Sequence, residues 1–260
     1  MASETNMKTE TDELAAVALW LGQARHVTAL TGAGISTESG IPDFRGPNGL
    51  WTKDPAAQQR ATLQHYMASR KARVDAWRLR AEHPSRTAGP NEGHVALAEL
   101  ERKGRLHTLI TQNIDSLHQR AGSTASRIIE IHGSLRDVVC MGCGGRGPME
   151  AALERVRAGE DDPPCTACGG VLKSATISFG QPLVSEVLER AQMAASACDV
   201  MLAIGTSLSV FPAAYLPQRA LQVGARLVIV NAEPTRYDGR AHAVLRGPIS
   251  RTLASVAALV

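Results

Sequence analysis

Aromatic side chains are scarce: three Phe, three Tyr and three Trp supply 3% of the 260 residues. Binding of single-stranded nucleic acid by base stacking needs aromatic platforms, so this composition argues against it. Charge excess is equally absent. With 28 Lys plus Arg against 25 Asp plus Glu, and no long run of one sign, there is no electrostatic footprint for a polyanion. Also missing is an apolar run approaching the ~20 residues that span a bilayer, and the opening MASETNMKTETDE lacks the basic and apolar segments of a secretory signal. Neither nucleic acid nor membrane is expected as a partner, and the expected location is cytoplasmic. What is plentiful is aliphatic: 44% of the residues are hydrophobic, enough at this length to bury a sizeable core.

Residues 1–11 are polar and small and are expected to form a flexible leader. Asp12 is placed to cap a helix whose apolar positions Leu14, Ala15, Val17, Ala18, Leu19 and Leu21 recur at helical spacing. Buried parallel strands are predicted at His26 to Leu30 (HVTAL), Leu106 to Gln112 (LHTLITQ), Asp199 to Gly205 (DVMLAIG) and Ala225 to Asn231 (ARLVIVN), because each is short, apolar and bounded by turn or polar residues. Helix-like stretches at Gly93 to Arg105 and Val184 to Cys198 precede two of them. This alternation predicts an α/β fold with a doubly wound parallel sheet, its domain comprising 12–51, 91–135 and 173–260. Residues 52–90, a helical segment, and 136–172, rich in glycine and cysteine, are expected as insertions into the sheet domain. In doubly wound sheets ligands lie beyond the carboxyl ends of the strands, so the residues that follow each strand carry the search for a site.

Cys140-M-G-Cys143 and Cys165-T-A-Cys168 present two thiolate pairs with 21 residues between them. Two sulfurs on one tight turn face a single ion, and two such turns complete a tetrahedral S4 set suited to Zn2+. The competing reading, disulfides or four buried thiols, fits a reducing compartment poorly. Four protein ligands leave no open position, so one structural Zn2+ is expected, not a catalytic one. Cys198 stands apart, entering a strand, and is expected to be a buried, inert thiol.

The loop after the first strand, Gly32-A-Gly34-I-Ser36, lacks the third glycine of a dinucleotide fingerprint, since position 37 is Thr37. Two readings stand on these residues alone: a phosphate loop in which small residues let main-chain N–H groups and the Ser36 hydroxyl reach a pyrophosphate, or a plain strand-to-helix turn. The other strand ends weigh toward a ligand. Gly205-Thr206-Ser207, Gln112-Asn113-Ile114-Asp115 and Asn231 with Glu233 are all polar; helix capping accounts for Asp115 or Ser207 but not for every loop at one edge. His132 ends an isoleucine-rich run, Ile128 to Ile131, before Gly133 and is a candidate general base with a pKa near neutrality.

In order along about four fifths of the chain, GAGIS at Gly32 to Ser36, GIPDFRG at Gly40 to Gly46, Thr111 to Asp115, His132-Gly133, the cysteine pairs, Ser178 to Gln181, Gly205 to Pro212 and Val230 to Thr235 resemble one family. It is the sirtuins, NAD-dependent protein lysine deacylases. The resemblance implies a Rossmann-like NAD-binding domain and a smaller domain made of the helical segment and a zinc ribbon, with NAD consumed as co-substrate and acylated lysine side chains of proteins entering between the two domains. By likeness, Gly32, Ala33, Gly34, Ser36 and Arg45 would line the cofactor loop, Asp43 and Phe44 would lie near the nicotinamide ribose and ring, and Trp51 would also bind the cofactor. Gln112, Asn113, Ile114 and Asp115 would shape the nicotinamide and ribose pocket, Gly205, Thr206 and Ser207 the phosphate and ribose contacts, and Asn231, Glu233 and Ile249 the adenosine end. His132 would be the base, with Asn113 and Asp115 also in the catalytic set. The acyl oxygen would attack C1′ of the nicotinamide ribose, nicotinamide would leave, and O-acyl-ADP-ribose would be released.

Departures bear on the substrate. Ser178, Phe179 and Gly180 match the edge to which peptide adds by main-chain pairing, but the strand before them reads Lys173-SATI where many relatives have Arg-Pro-x-Val-Val. Deacylases of acidic acyl groups carry Tyr-x-x-Arg in the helical insertion; the matching spacing here is Trp77-R-L-Arg80. Arg80 could pair with a succinyl or malonyl carboxylate, or both residues could belong to an ordinary helix. Protein mono-ADP-ribosyl transfer from the same pocket is the alternative enzyme class.

Overall fold

The computed structural model describes the backbone of residues 2–260 and the side chains of residues 11–260. Its strands are β1 (Val27–Thr31), β2 (Thr108–Thr111), β3 (Ile128–Glu130), β4 (Gly133–Cys140), β5 (Arg146–Pro148), β6 (Leu172–Thr176), β7 (Val200–Ile204), β8 (Arg226–Val230) and β9 (Ala243–Leu245). Its helices are α1 (Ala2–Gln23), α2 (Leu50–Lys53), α3 (Ala56–Arg60), α4 (Leu63–Ala68), α5 (Arg70–Ala81), α6 (Glu92–Arg102), α7 (Leu117–Arg120), α8 (Met149–Arg157), α9 (Ser185–Ala197), α10 (Leu216–Gln222) and α11 (Ile249–Leu259). Among the described residues, no helix is long and apolar enough to cross a membrane.

Six strands form one parallel sheet in the order β3-β2-β1-β7-β8-β9. The apolar runs were legible because both faces of this sheet are covered. Alternate side chains enter opposite layers. Ala29, Leu109, Leu202 and Val228 pack with Leu21 of α1, Leu97 of α6 and Leu253 of α11, whereas Leu30, Ile110, Met201 and Ile229 pack with Ala191 of α9 and Leu216 of α10. The edge strand β9 was not anticipated; three residues are too few for a periodic signal. Helix α1 starts at Ala2, so Asp12 lies inside it and does not cap it. Val17, Ala18 and Leu21 are buried as expected, while Leu19 faces out. The leader expected over residues 1–11 falls, except for Thr11, outside the residues whose side chains are described.

The small domain joins the two insertions. An antiparallel sheet, β5-β4-β6, packs with α5 and α8 around Trp77, Val138, Cys140, Met149, Leu153, Cys165 and Leu172. The divisions expected at 135/136 and 172/173 fall inside β4 and β6, which pair with each other, so both strands belong to this sheet along their length.

Candidate active site

Register places the start of the site. Thr31 lies opposite Thr111 on one side and Ile204 on the other, so Gly32, Gln112 and Gly205 leave the sheet at one level. Beyond β1 the chain goes on to β2 on one side, and β7 to β9 occupy the other. That is a topological switch point, where a crevice opens between diverging loops.

The loops are tied to one another. Gly32 N donates to Ile204 O at 3.0 Å and Gly34 N to Gly205 O at 2.9 Å. A Cβ on Gly32 would lie 2.7 Å from Gly205 O, and one on Gly34 would lie 2.8 Å from Gly205 Cα. Glycine is therefore needed at both positions for the loops to meet. Asn113 Nδ2 donates to Gly32 O (3.0 Å) and Ser36 Oγ (3.2 Å). Ser36 Oγ donates to Asp115 Oδ2 at 2.8 Å, and Asp115 Oδ1 accepts from Leu117 N at 2.9 Å. The N-cap of α7 is Ser116; Asp115, one residue before it, takes the first free N–H of the helix and also belongs to the polar cluster. Gln112 Nε2 donates to Thr206 Oγ1 at 2.9 Å, and Ile114 O accepts from Leu135 N at 3.2 Å.

Further along the edge, Ser207 and Ser209 hydroxyls are 2.7 Å apart. Asn231 Nδ2 donates to Glu233 O, and Arg246 Nη1 donates to the carbonyls of both Asn231 and Glu233, each at 2.7 Å. Ile249 opens α11, whose Ser250 N donates to Glu38 Oε1 at 3.1 Å. Small residues and neutral donors at the switch point, serine hydroxyls beside it and the exposed Glu233 at the far end suit the pyrophosphate and ribose of a dinucleotide.

Downstream of the glycine loop, Asp43 to Trp51 form a flap closed by Leu50 N to Asp43 O (2.8 Å) and Trp51 N to Phe44 O (2.9 Å). Phe44 stacks on Trp51 with ring centroids 4.7 Å apart, Trp51 meets Phe179 at 5.3 Å, and Arg45 lies 4.4 Å above the Trp51 ring. Burial holds the Arg45 guanidinium below its ordinary pKa. Three of the nine aromatic side chains of the protein are gathered in this one row. Phe179 N donates to Ala61 O (3.1 Å) and Leu63 N to Phe179 O (2.9 Å), fastening the Ser178 to Gly180 segment to the helical insertion.

His132 follows β3. Its Nδ1 lies 3.1 Å from Gln112 O. A carbonyl only accepts, so Nδ1 carries the hydrogen and Nε2 keeps its lone pair. Burial pushes the imidazole below its ordinary pKa, opposed by the Gln112 bond, and the net lowering favours the neutral ring at pH 7. Gly133 must be glycine: its φ is +74°, and a Cβ would collide with the Ala175 carbonyl.

The four cysteines are free thiols, and all their sulfurs lie within 4.8 Å of one another. Main-chain N–H groups of Gly142 and Cys143 donate to Cys140 Sγ at 3.3 and 3.4 Å, which favours the thiolate that a metal requires. The donor set fits Zn2+. Cys198 is buried, with its thiol donating to Ala195 O at 3.3 Å. Trp77, expected at the substrate, is 1% exposed in the small-domain core, so packing of its indole there accounts for it. Arg80 Nε donates to Ser174 Oγ at 3.3 Å, and buried Lys173 donates to the carbonyls of Ser174 and Thr176.

Sequence reading passed over two histidines. His94 and His118 are 0% and 1% exposed, with rings 4.9 Å apart behind the polar loop. Their only signal was a histidine on the apolar face of each helix. Burial lowers His94 to about 4 and, with His94 beside it, His118 to about 3; burial and Arg80 lower His83 to about 4. The unfolded chain takes up these protons near pH 6.5. Between that pH and the folded values the unfolded state binds more protons, so this contribution to stability is complete above about 6.5 and is lost as pH falls toward 4. Thermal melts from pH 7 to 4.5 are expected to show a steady fall in Tm, shallower in His83→Gln; a flat profile would contradict neutral burial.

The Sir2 family profile matches residues 32–212. The chain is 52% identical over 227 residues to NAD-dependent protein deacetylase 2 of Streptomyces coelicolor, covering 87% of this chain and 94% of that one. A solved structure addressing the mechanism and regulation of Sir2 enzymes superimposes with a TM-score of 0.86 at 40% identity, covering 95% and 97% of the two chains. A Sir2 complex with a p53 peptide and NAD+ gives 0.82 at 35%, covering 91% and 94%. Fold and site define an α/β nucleotide-binding enzyme with a tetracysteine module. The chain belongs to the Sir2 family.

Proposed function

We propose that the chain deacetylates lysine side chains of proteins with consumption of NAD, and that His132 Nε2 is the proton acceptor of the reaction. The activity class is NAD-dependent protein deacetylation. The observation that carries the assignment of the base is the bond from Nδ1 to Gln112 O, which aims one defined lone pair from a neutral ring. NAD, when bound, would supply the electrophilic ribose carbon, which exchanges its bond to the departing nicotinamide for one to the acyl oxygen. The residues that would hold it are those at the switch point: the Gly32 to Ser36 loop, Gln112 to Asp115, Gly205 to Ser207, and Asn231 with Glu233 at the adenosine end. Phe44, Trp51 and Phe179 wall the entrance for the acyl-lysine and exclude water from the reacting centre. His132 takes a proton at Nε2 while Gln112 O keeps the ring oriented. Four thiolates hold one structural Zn2+ in the small domain.

A second reading, turnover of acidic acyl chains, is favoured by one observation. Half-buried Arg80 and buried Lys173 meet at Ser174 with hydroxyl and carbonyl partners and form no ion pair among the described residues, so a carboxylate brought by the substrate would be a strong partner. Nicotinamide release with acetyl-lysine and succinyl-lysine peptides, in wild type and Arg80→Met, tests both. Acetyl-dependent release in both proteins is expected. If wild type turns over succinyl-lysine and Arg80→Met loses it about tenfold or more, Arg80 reads the carboxylate; equal succinyl rates, or none in wild type, remove that role. Label transfer from NAD to protein without deacylation would instead indicate ADP-ribosyl transfer.

A further inference from the structure

His118 takes no part in the reaction as assigned, yet it is joined to the site by a directional chain. His118 Nε2 lies 3.0 Å from Thr31 Oγ1. Thr31 Oγ1 donates to Thr111 Oγ1 at 2.9 Å, and Thr111 Oγ1 accepts from the main-chain N–H of Asn113 at 3.1 Å. Thr31 has one hydroxyl proton, and it is directed at Thr111. Toward His118 it can only accept, so Nε2 carries the hydrogen. Nδ1 has no partner among the described residues, and protonating it would bury a charge without an acceptor. The ring is therefore a neutral donor of fixed tautomer. Its direction orders two hydroxyls and ends on the backbone of a loop whose side chains form the polar cluster.

We propose that His118 is a positioning residue for NAD: through Thr31 and Thr111 it sets the main chain at Asn113, and with it the aim of the Asn113 amide and the Asp115 carboxylate. This rests on the reading of Gln112 to Asp115 as an NAD-contacting loop. The loop needs such a constraint because it ends at Ser116 with φ +61°, a left-handed conformation that costs a non-glycine residue free energy and persists only when its surroundings hold it. Without the His118 donor, the Thr31 hydroxyl is free to turn away from Thr111, and Asn113 N–H loses an ordered acceptor.

The test is steady-state nicotinamide release with acetyl peptide by wild type, His118→Phe, His118→Gln, Thr111→Val, the double variant His118→Phe/Thr111→Val, and Asn113→Ala. Phenylalanine keeps an aromatic ring against His94 without a donor, and glutamine restores an N–H at a similar reach. Expected is a kcat/KM for NAD about tenfold lower in His118→Phe, the change one lost positioning bond of ~1.4 kcal/mol makes, with the KM for acetyl peptide unchanged and recovery in His118→Gln. Thr111→Val is expected to match His118→Phe, and the double variant to be no worse than either, because both cut one chain. Wild-type NAD kinetics in His118→Phe, or additive losses in the double variant, would overturn the proposal. If His118→Phe does not fold, unchanged NAD kinetics in Thr111→Val overturns it equally. Unchanged NAD kinetics in Asn113→Ala would instead overturn the reading of the loop.

Discussion

Replacing His132 with alanine is expected to lower acetyl-peptide-dependent NAD turnover by about 10²-fold or more, the scale of a lost general base, while the protein stays folded. Two features separate this effect from damage to the structure. His132 lies in the turn between β3 and β4 and is only partly buried, so its loss does not open a cavity in a fully buried core. Its one recorded side-chain bond is to Gln112 O, and the loss of one hydrogen bond costs only about 1 kcal/mol. The melt is therefore expected to shift by a few degrees while turnover collapses. Because burial depresses the His132 pKa, the acid limb of kcat/KM in wild type should fall below pH ~6.5, the ordinary histidine value. The base is competent when neutral, so the rate is full above its folded pKa and is lost below it. Turnover retained in His132→Ala would remove the histidine from the reaction.

Removing the metal is expected to have the largest effect on stability. Structural zinc in small modules contributes on the order of 10 kcal/mol to folding near neutral pH, as much as a whole domain's net stability. The reason is visible in the packing. Cys140 and Cys165 are buried members of the small-domain core together with Trp77, Met149, Leu153 and Leu172, and β4 ends on Cys140, so the metal knot and the core are one unit. Elemental analysis should find one zinc per chain in wild type and none in Cys165→Ala. Chelation or that substitution should lower Tm by more than 10 degrees, a loss large against the ~1 kcal/mol that moves a domain of this size by a few degrees. A red shift in tryptophan emission should accompany it as Trp77, now 1% exposed, meets water. Full stability in a zinc-free preparation would overturn the structural role.

Which parts of this were legible in sequence follows from the range of the forces involved. β1, β2, β7 and β8 could be read because a strand covered on both faces is built of aliphatic and β-branched residues, a property of four or five consecutive residues. The cysteine pairs could be read because two sulfurs on one turn already define half a metal site. His132 stood out by its place between an isoleucine run and a glycine whose left-handed φ of +74° the turn demands. Trp77 could not be placed, because spacing puts it on a helix but says nothing of what that helix packs against. Its match to a substrate-reading position came from counting residues, and the core of the small domain claimed it. The two buried histidines were invisible for the same reason: Thr31, Ser36 and Asp115 become their surroundings only when β1 and β2 lie side by side.

The opening glycines divide the matter most clearly. Sequence alone established a glycine-rich turn after a buried strand, a thiolate set for one ion, an ordered series of polar strand ends and, through them, a resemblance to one family; all of these are written in runs of a few residues or in their order. That Gly32 and Gly34 must be glycine because Gly205 presses against them, that Asn113 and Ser36 share a network, and that Arg246 pins the Asn231 turn was decided only by tertiary structure. Contacts between residues far apart in the chain arise from the register of parallel strands, and no local pattern encodes that register.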